Sequence, residues 1–359
     1  MSEHPYKSLP QKAFWRRSVA GVKPAEVDPV GEFDLRIDSG TKVATAGSCF
    51  AQHIARYLKK SGFCYYVAEP GHPILPSAIR EQHNYGLFSA RYGNIYTARQ
   101  LLQLFERAHG RFNPSDDVWR KAGDVFVDPF RPTTQPGGFI SPEELLADRE
   151  QHLAAVRRMF ETLDVFVFTL GLTECWRSRE DGAVFPVCPG VEGGTFDPER
   201  HEFYNQPVED VVADLTAFRN GLLAVNPKAQ IIFTVSPVPL VATAEPGGHV
   251  LSATTYSKSV LRVAAEEMRR RFDNVHYFPS YEIITGAFNR GSYYAPDLRN
   301  VVESGVSHVM RLFMQHATGD TPEVLDGKAA QQTPDEDEHL KAAQELIEVE
   351  CDEVALDRD

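Results

Sequence analysis

The residue with the clearest makings of a nucleophile is Ser48, because of where the chain places it. Lys42 to Ala46 reads as a short strand, and Phe50, Ile54, Tyr57 and Leu58 then repeat at helical spacing. Gly47-Ser48-Cys49 is left in the turn between them. A hydroxyl at such a junction lies close to unsatisfied backbone N–H groups and the positive end of the helix dipole. That setting favours an alkoxide and a developing oxyanion. Serine is equally a favoured helix N-cap, so the turn alone leaves both roles open. Cys49 shares the electrostatic setting.

Ligands of open parallel sheets bind outside the carboxyl ends of the strands, so the residues there are the next candidates. Gly171-Leu172-Thr173-Glu174 follows the apolar run from Asp164 to Thr169, and Ser236-Pro237-Val238-Pro239 follows Gln230 to Val235. A loop from Pro279 to Asn300, containing Asp297, follows Val275 to Phe278. His308 on the last helix and His249 in a Gly-rich loop are candidate bases for Ser48; each is equally a packed or exposed histidine. Glu174 is a site carboxylate or half of a structural ion pair. Lys258 and Arg299 are candidate clamps for an anionic group, or solvated cations. Trp15, Trp176, Tyr293 and Tyr294 offer a rim for stacking a sugar, or core packing.

Elements that could position these residues alternate along the chain. Thr97 to His109 carries Leu101, Leu102 and Phe105 at helical spacing, with Gly110 after it. Ser141-Pro142-Glu143-Glu144 is a capping box with proline at N1, opening a long helix to about Leu163. Further helices run through Val211, Leu215, Phe218 and Leu222, from Tyr256 to Phe272, and from Val302 to Phe313. Strand and helix alternating in this way predicts an α/β fold, a three-layer sandwich around a parallel sheet of about five strands. One domain over residues 1–316 is expected, its first 40 residues forming an arm on the body.

Composition narrows the function. The net charge is −13, but the 14 acidic and 3 basic residues from Ala317 to Asp359 account for −11, which leaves the body near −2. No nucleic-acid partner is expected of such a body. Residues 317–359 read as an acidic tail, with a short amphipathic helix through Leu340, Ile347 and Val354 as a candidate protein-binding element. No run approaches the roughly 18 apolar residues of a membrane helix, and no secretory signal pattern opens the chain. The five cysteines, scattered without CxxC spacing, are expected to be reduced thiols. These features together predict a cytoplasmic protein without a membrane partner and without a metal.

Gly47-Ser48-Cys49-Phe50-Ala51 resembles the signature of the GSCFA family, which is similar to the SGNH (GDSL-like) hydrolases. Tyr6 to Trp15, Gly93 to Ala98, Thr169 to Glu174, Thr234 to Leu240 and Tyr277 to Glu282 also look like family segments, so the resemblance covers roughly residues 5–315. It implies an SGNH-type serine esterase or O-acyltransferase acting on a small-molecule or saccharide substrate, in bacterial polysaccharide metabolism, with no cofactor. Ser48 matches the nucleophile, and Gly93, with Asn94 beside it, the oxyanion-hole glycine. The superfamily's Gly-x-Asn block reads Gly171-Leu172-Thr173, so Thr173 or Asn94 stands in for the asparagine donor. Its Asp-x-x-His block reads Asp297-Leu298-Arg299-Asn300. Asparagine does not titrate near neutrality, so Asn300 is no general base. Another base, acyl transfer assisted by the substrate, or ligand binding without turnover then remains open.

Overall fold

The computed structural model describes residues 4–318 apart from Cys49 and Ser61. The expected acidic tail lies outside the described residues, except that the last helix runs on through Ala317 to Thr318. In chain order the elements are β1 (Val43–Gly47), α1 (Phe50–Lys60), α2 (Ser77–Gln82), α3 (Ala98–Ala108), β2 (Trp119–Lys121), β3 (Val125–Val127), α4 (Pro142–Thr162) and β4 (Val165–Leu170). They continue with β5 (Glu174–Ser178), β6 (Val184–Phe185), β7 (His201–Asn205), α5 (Val208–Val225), β8 (Gln230–Val235), α6 (Val250–Arg271), β9 (Val275–Tyr277), α7 (Ser280–Thr285) and α8 (Glu303–Thr318).

The central sheet is parallel, with four strands in the order β1-β4-β8-β9. About five were expected. The difference lies at the outer edge of β1, where a neighbour is reduced to one parallel bridge between Val43 and Tyr65. Beyond that bridge, side chains satisfy the edge in place of a strand. Thr45 N–H donates to the Ser89 hydroxyl at 2.9 Å, and the Thr45 carbonyl accepts from the Tyr92 hydroxyl. The chain thus leaves β1 toward one side and returns to pair β4 on the other. Such a reversal opens a crevice at the carboxyl ends of the strands.

Alternation along the strands splits the core into two layers. On one face Phe166, Phe168, Ile231 and Phe233 pack against α3, α4, α5 and α6. On the other, Val43, Val165, Val167 and Ile232 meet α1, α7 and α8. Val30, Phe33 and Ile37 of the N-terminal arm join that second layer, and Ile37 N–H bonds the Ala317 carbonyl at 2.7 Å.

Two small antiparallel sheets, β2-β3 and β6-β5-β7, were not expected from the sequence. They share a satellite core around Trp119, Val127 and Phe185. Ser141 caps α4 as expected, accepting from Glu144 N–H, but the Glu144 carboxylate returns to Ile140 N–H and not to Ser141. Thr97, read as the first helical residue, is the N-cap of α3, accepting from Gln100 N–H.

Candidate active site

Ser48 follows β1 directly, and its conformation depends on Gly47. Gly47 has φ of +133°, and a Cβ there would come within 2.4 Å of the Thr169 carbonyl oxygen on β4. Only glycine permits β1 to lie this close at its last residue. The Ser48 N–H donates to the same Thr169 carbonyl at 3.3 Å, and the Ser48 carbonyl accepts from Ala51 N–H. The Ser48 hydroxyl is buried and has no hydrogen-bond partner among the described residues.

That side chain lines a cleft of about 280 Å³ at the carboxyl ends of β1, β4 and β8. Gly171 and Leu172 follow β4, and Ser236 with the Val238–Leu240 segment follows β8. Tyr96 closes the wall toward α3, Lys258 enters from α6, and Arg299 from the loop before α8. The Tyr96 carbonyl accepts from both Gly171 and Leu172 N–H, which fixes the wall against the end of β4. Lys258 is buried, and its Nζ donates to the Gly171 carbonyl at 2.5 Å. The cleft therefore combines a buried hydroxyl with two basic side chains.

A model of the GSCFA family matches residues 42–313. The chain belongs to the GSCFA family. Comparison with curated proteins and with solved structures gives no match. The match takes in every element from β1 into α8, and so the whole cleft.

In this GSCFA chain the structure brings together five residues singled out in the sequence: Ser48, Gly171, Ser236, Lys258 and Arg299. Others stand apart from the cleft lining. His308 is buried between α8 and the N-terminal arm, with Nδ1 2.8 Å from the Tyr293 hydroxyl and Nε2 2.9 Å from the Val27 carbonyl. Burial lowers its pKa, and both ring nitrogens are engaged. His249 is exposed as the N-cap of α6, where its Nδ1 accepts from Leu251 N–H. Glu174 accepts from the Thr243 hydroxyl and Ala244 N–H, and its pKa is raised, chiefly by burial. The Thr173 hydroxyl donates to Asn205 Oδ1 at 2.6 Å, while Thr173 N–H bonds the Ser257 hydroxyl. Gly93 has φ of +67° in the segment leading to Tyr96, and Asn94 lines a different cleft.

Asp297 and Asn300 pair with each other. The Asn300 amide donates to Asp297 Oδ2 at 2.7 Å, and Asp297 Oδ1 accepts from the Arg299 and Asn300 N–H groups at 3.0 Å each. Leu298 between them takes φ of +56°, a region costly for a branched side chain. The carboxylate thus holds a tight loop whose outcome is the placement of Arg299 at the cleft. Of the aromatics, Trp176 packs edge-on against Phe196 and Phe203, Tyr293 meets His308, and Tyr294 donates its hydroxyl to the Pro237 carbonyl. Trp15 is exposed on the arm.

The wall residues Tyr96, Leu172 and Leu240 carried no chemical signal in the sequence. They form an apolar cluster of their own beside the cleft, with Val250 and Ala253. Among the described residues no helix is long and apolar enough to cross a membrane, and no cluster of His, Cys, Asp and Glu could hold a metal ion.

Proposed function

We propose that this chain is an SGNH-type serine enzyme that handles acyl esters, an esterase or O-acyltransferase acting on a carbohydrate-like substrate. The observation that carries this reading is the Ser48 hydroxyl, buried and unpartnered at the end of β1 in a cleft that Lys258 also lines. In this reading Ser48 Oγ attacks the acyl carbonyl while its proton passes to Lys258 acting as the free amine. Collapse of the tetrahedral intermediate breaks the bond to the leaving alcohol, which takes the proton back from Lys258. Water, or a sugar hydroxyl in the transfer reaction, then repeats the sequence on the acyl-serine. The negative charge that develops on the acyl oxygen is stabilised by the cationic Arg299 side chain, because the Ser48, Gly171 and Leu172 N–H groups already bond to backbone carbonyls.

Asn300, paired to Asp297 where the superfamily has histidine, favours a second reading, binding of an acylated ligand without turnover.

Labelling by a fluorophosphonate probe and turnover of an aryl acetate decide between them. The enzyme reading expects both in the native protein, neither in Ser48→Ala, and loss in Lys258→Met and also in Lys258→Arg, which keeps the charge but not the base. Activity retained in Lys258→Arg would reduce that residue to an electrostatic role. An inert native protein that gains turnover as Asn300→His would favour the binding reading.

A further inference from the structure

A second cleft, of about 310 Å³, opens on the other side of the segment that carries Tyr96. One face of α3 supplies Gln100, Gln103, Leu104 and Arg107, and Asn94, Ile95, Phe130 and Val184 complete it. Arg107 is only 8% exposed, and its guanidinium lies over the Phe130 ring, 3.9 Å from the centroid. Stacking of this kind leaves the in-plane N–H donors unused. No hydrogen bond or ion pair reaches that guanidinium from the described residues.

The nearby buried carboxylate, Asp128, is fully committed elsewhere. Its Oδ1 accepts from Phe130 N–H, and its Oδ2 from Arg131 and Arg149 at 3.0 Å each. Asp128 thus faces three guanidinium groups, of which Arg131 also pairs with Asp148 and Arg149 with Asp117, and Arg131 Nη1 finds no acceptor. Burial pushes the Arg107 pKa down to about 10, opposed by Asp128 and Asp117 and aided by Arg149 and Arg131, so the side chain is still a cation at neutral pH. A buried charge without a hydrogen-bonded partner is costly, and proteins keep one where something completes it.

Gln100 adds a second donor. Its carbonyl end closes the N-terminus of α3 by accepting from Tyr96 and Thr97 N–H, and its Nε2 has no partner among the described residues. Gln103, by contrast, is committed to the wall, bonding the Gly182 carbonyl and Val184 N–H. Positions seven apart share a helix face, so Gln100 and Arg107 present their donors to the same cleft from one element.

We propose that this cleft is an oxyanion site, in which Arg107 and Gln100 Nε2 bind the carboxylate or phosphate group of a small molecule. No residue lines both this cleft and that of Ser48.

The test uses the full chain with inorganic phosphate and with acetate, at ionic strength held constant with sodium chloride. Thermal melting should rise saturably with at least one anion in the native protein and in Ser48→Ala. In Arg107→Met, which keeps an unbranched apolar stem but not the guanidinium, the apparent Kd should weaken by about tenfold or more. Whichever anion acts identifies the group. A shift that persists in Arg107→Met, or that grows without saturating, would overturn the proposal and leave Arg107 a structural cation. Crystals of the native protein soaked in tungstate provide the second measurement, which stands even if the variant does not fold. An anomalous peak on the Arg107 guanidinium is expected, and its absence would sink the idea.

Discussion

Gly47 is where the demands of the sheet and of the candidate nucleophile meet. With φ of +133° and only 2.4 Å between a Cβ at this position and the Thr169 oxygen, there is no room for alanine. Gly47→Ala should therefore cost about 3 kcal/mol or more in urea unfolding and displace Ser48 as well, so that probe labelling falls beyond the loss of folded protein. His308 makes the opposite prediction. Its ring joins Tyr293 on one side and the Val27 carbonyl on the other, within the layer formed by α8 and the arm. His308→Ala should lower stability by about 2–4 kcal/mol while the folded fraction labels at Ser48 within about twofold of the native rate. A loss of labelling out of proportion to folding would make His308 a candidate base again.

Among the elements, the loop Asp297–Asn300 is the one whose hydrogen bonds have the most direct bearing on the cleft. Asp297 binds two N–H groups and the Asn300 amide, and what emerges at the cleft is Arg299. Asp297→Ala and Arg299→Ala should then lower kcat and kcat/KM for an ester substrate to a similar extent, and the double variant should be little worse than either. Additive effects in the steady-state kinetics would instead separate the two residues. The same scale explains what was legible in the sequence. Helix α3 announced itself through Leu101, Leu102 and Phe105, α4 through the Ser141 cap, and β4 and β8 through apolar runs that are buried on both faces. The sheet β6-β5-β7 did not, because Glu174-Cys-Trp-Arg-Ser178 and His201-Glu-Phe-Tyr-Asn205 mix charge with aromatics at half-buried positions. Ser48, Gly171, Ser236 and Arg299 were found because strand ends converge on one crevice, and Lys258, on α6, as a candidate clamp for an anionic group. Arg107 was missed because its significance comes from Phe130 and Asp128, which reach it only through the fold.

Across the molecule, a buried charge network remote from the Ser48 cleft bears on stability. Arg91, Arg131 and Arg149 share Asp128 and Asp148, with Arg91–Asp148 at 2.8 Å and Arg131–Asp128 at 3.0 Å. Burial alone would raise the Asp128 pKa, but Arg131, Arg149 and Arg107 outweigh it and hold it well below its ordinary 3.8. A carboxylate depressed on folding contributes stability that is fully present above its unfolded pKa and is lost as pH falls below it. Urea unfolding should therefore show stability dropping as pH falls from about 4 toward 2. Asp128→Asn should flatten that drop, at a cost near neutrality of about 3–5 kcal/mol for leaving the arginines uncompensated. An unchanged acid limb in the variant would assign the drop to other carboxylates.

The short segment between Gly93 and Thr97 also has a consequence at this scale. Tyr96 faces the Ser48 cleft, Asn94 and Ile95 face the Arg107 cleft, and Ile95 N–H is bonded to the Gly47 carbonyl at 2.9 Å. A partition with a compartment on each side behaves as a shared spring. To the extent that a ligand in one compartment displaces it, the affinity in the other changes by some factor, and thermodynamic reciprocity requires the same factor in return. The energy of that exchange would be set by this short run of backbone and by the hydrogen bond that moors it to the end of β1.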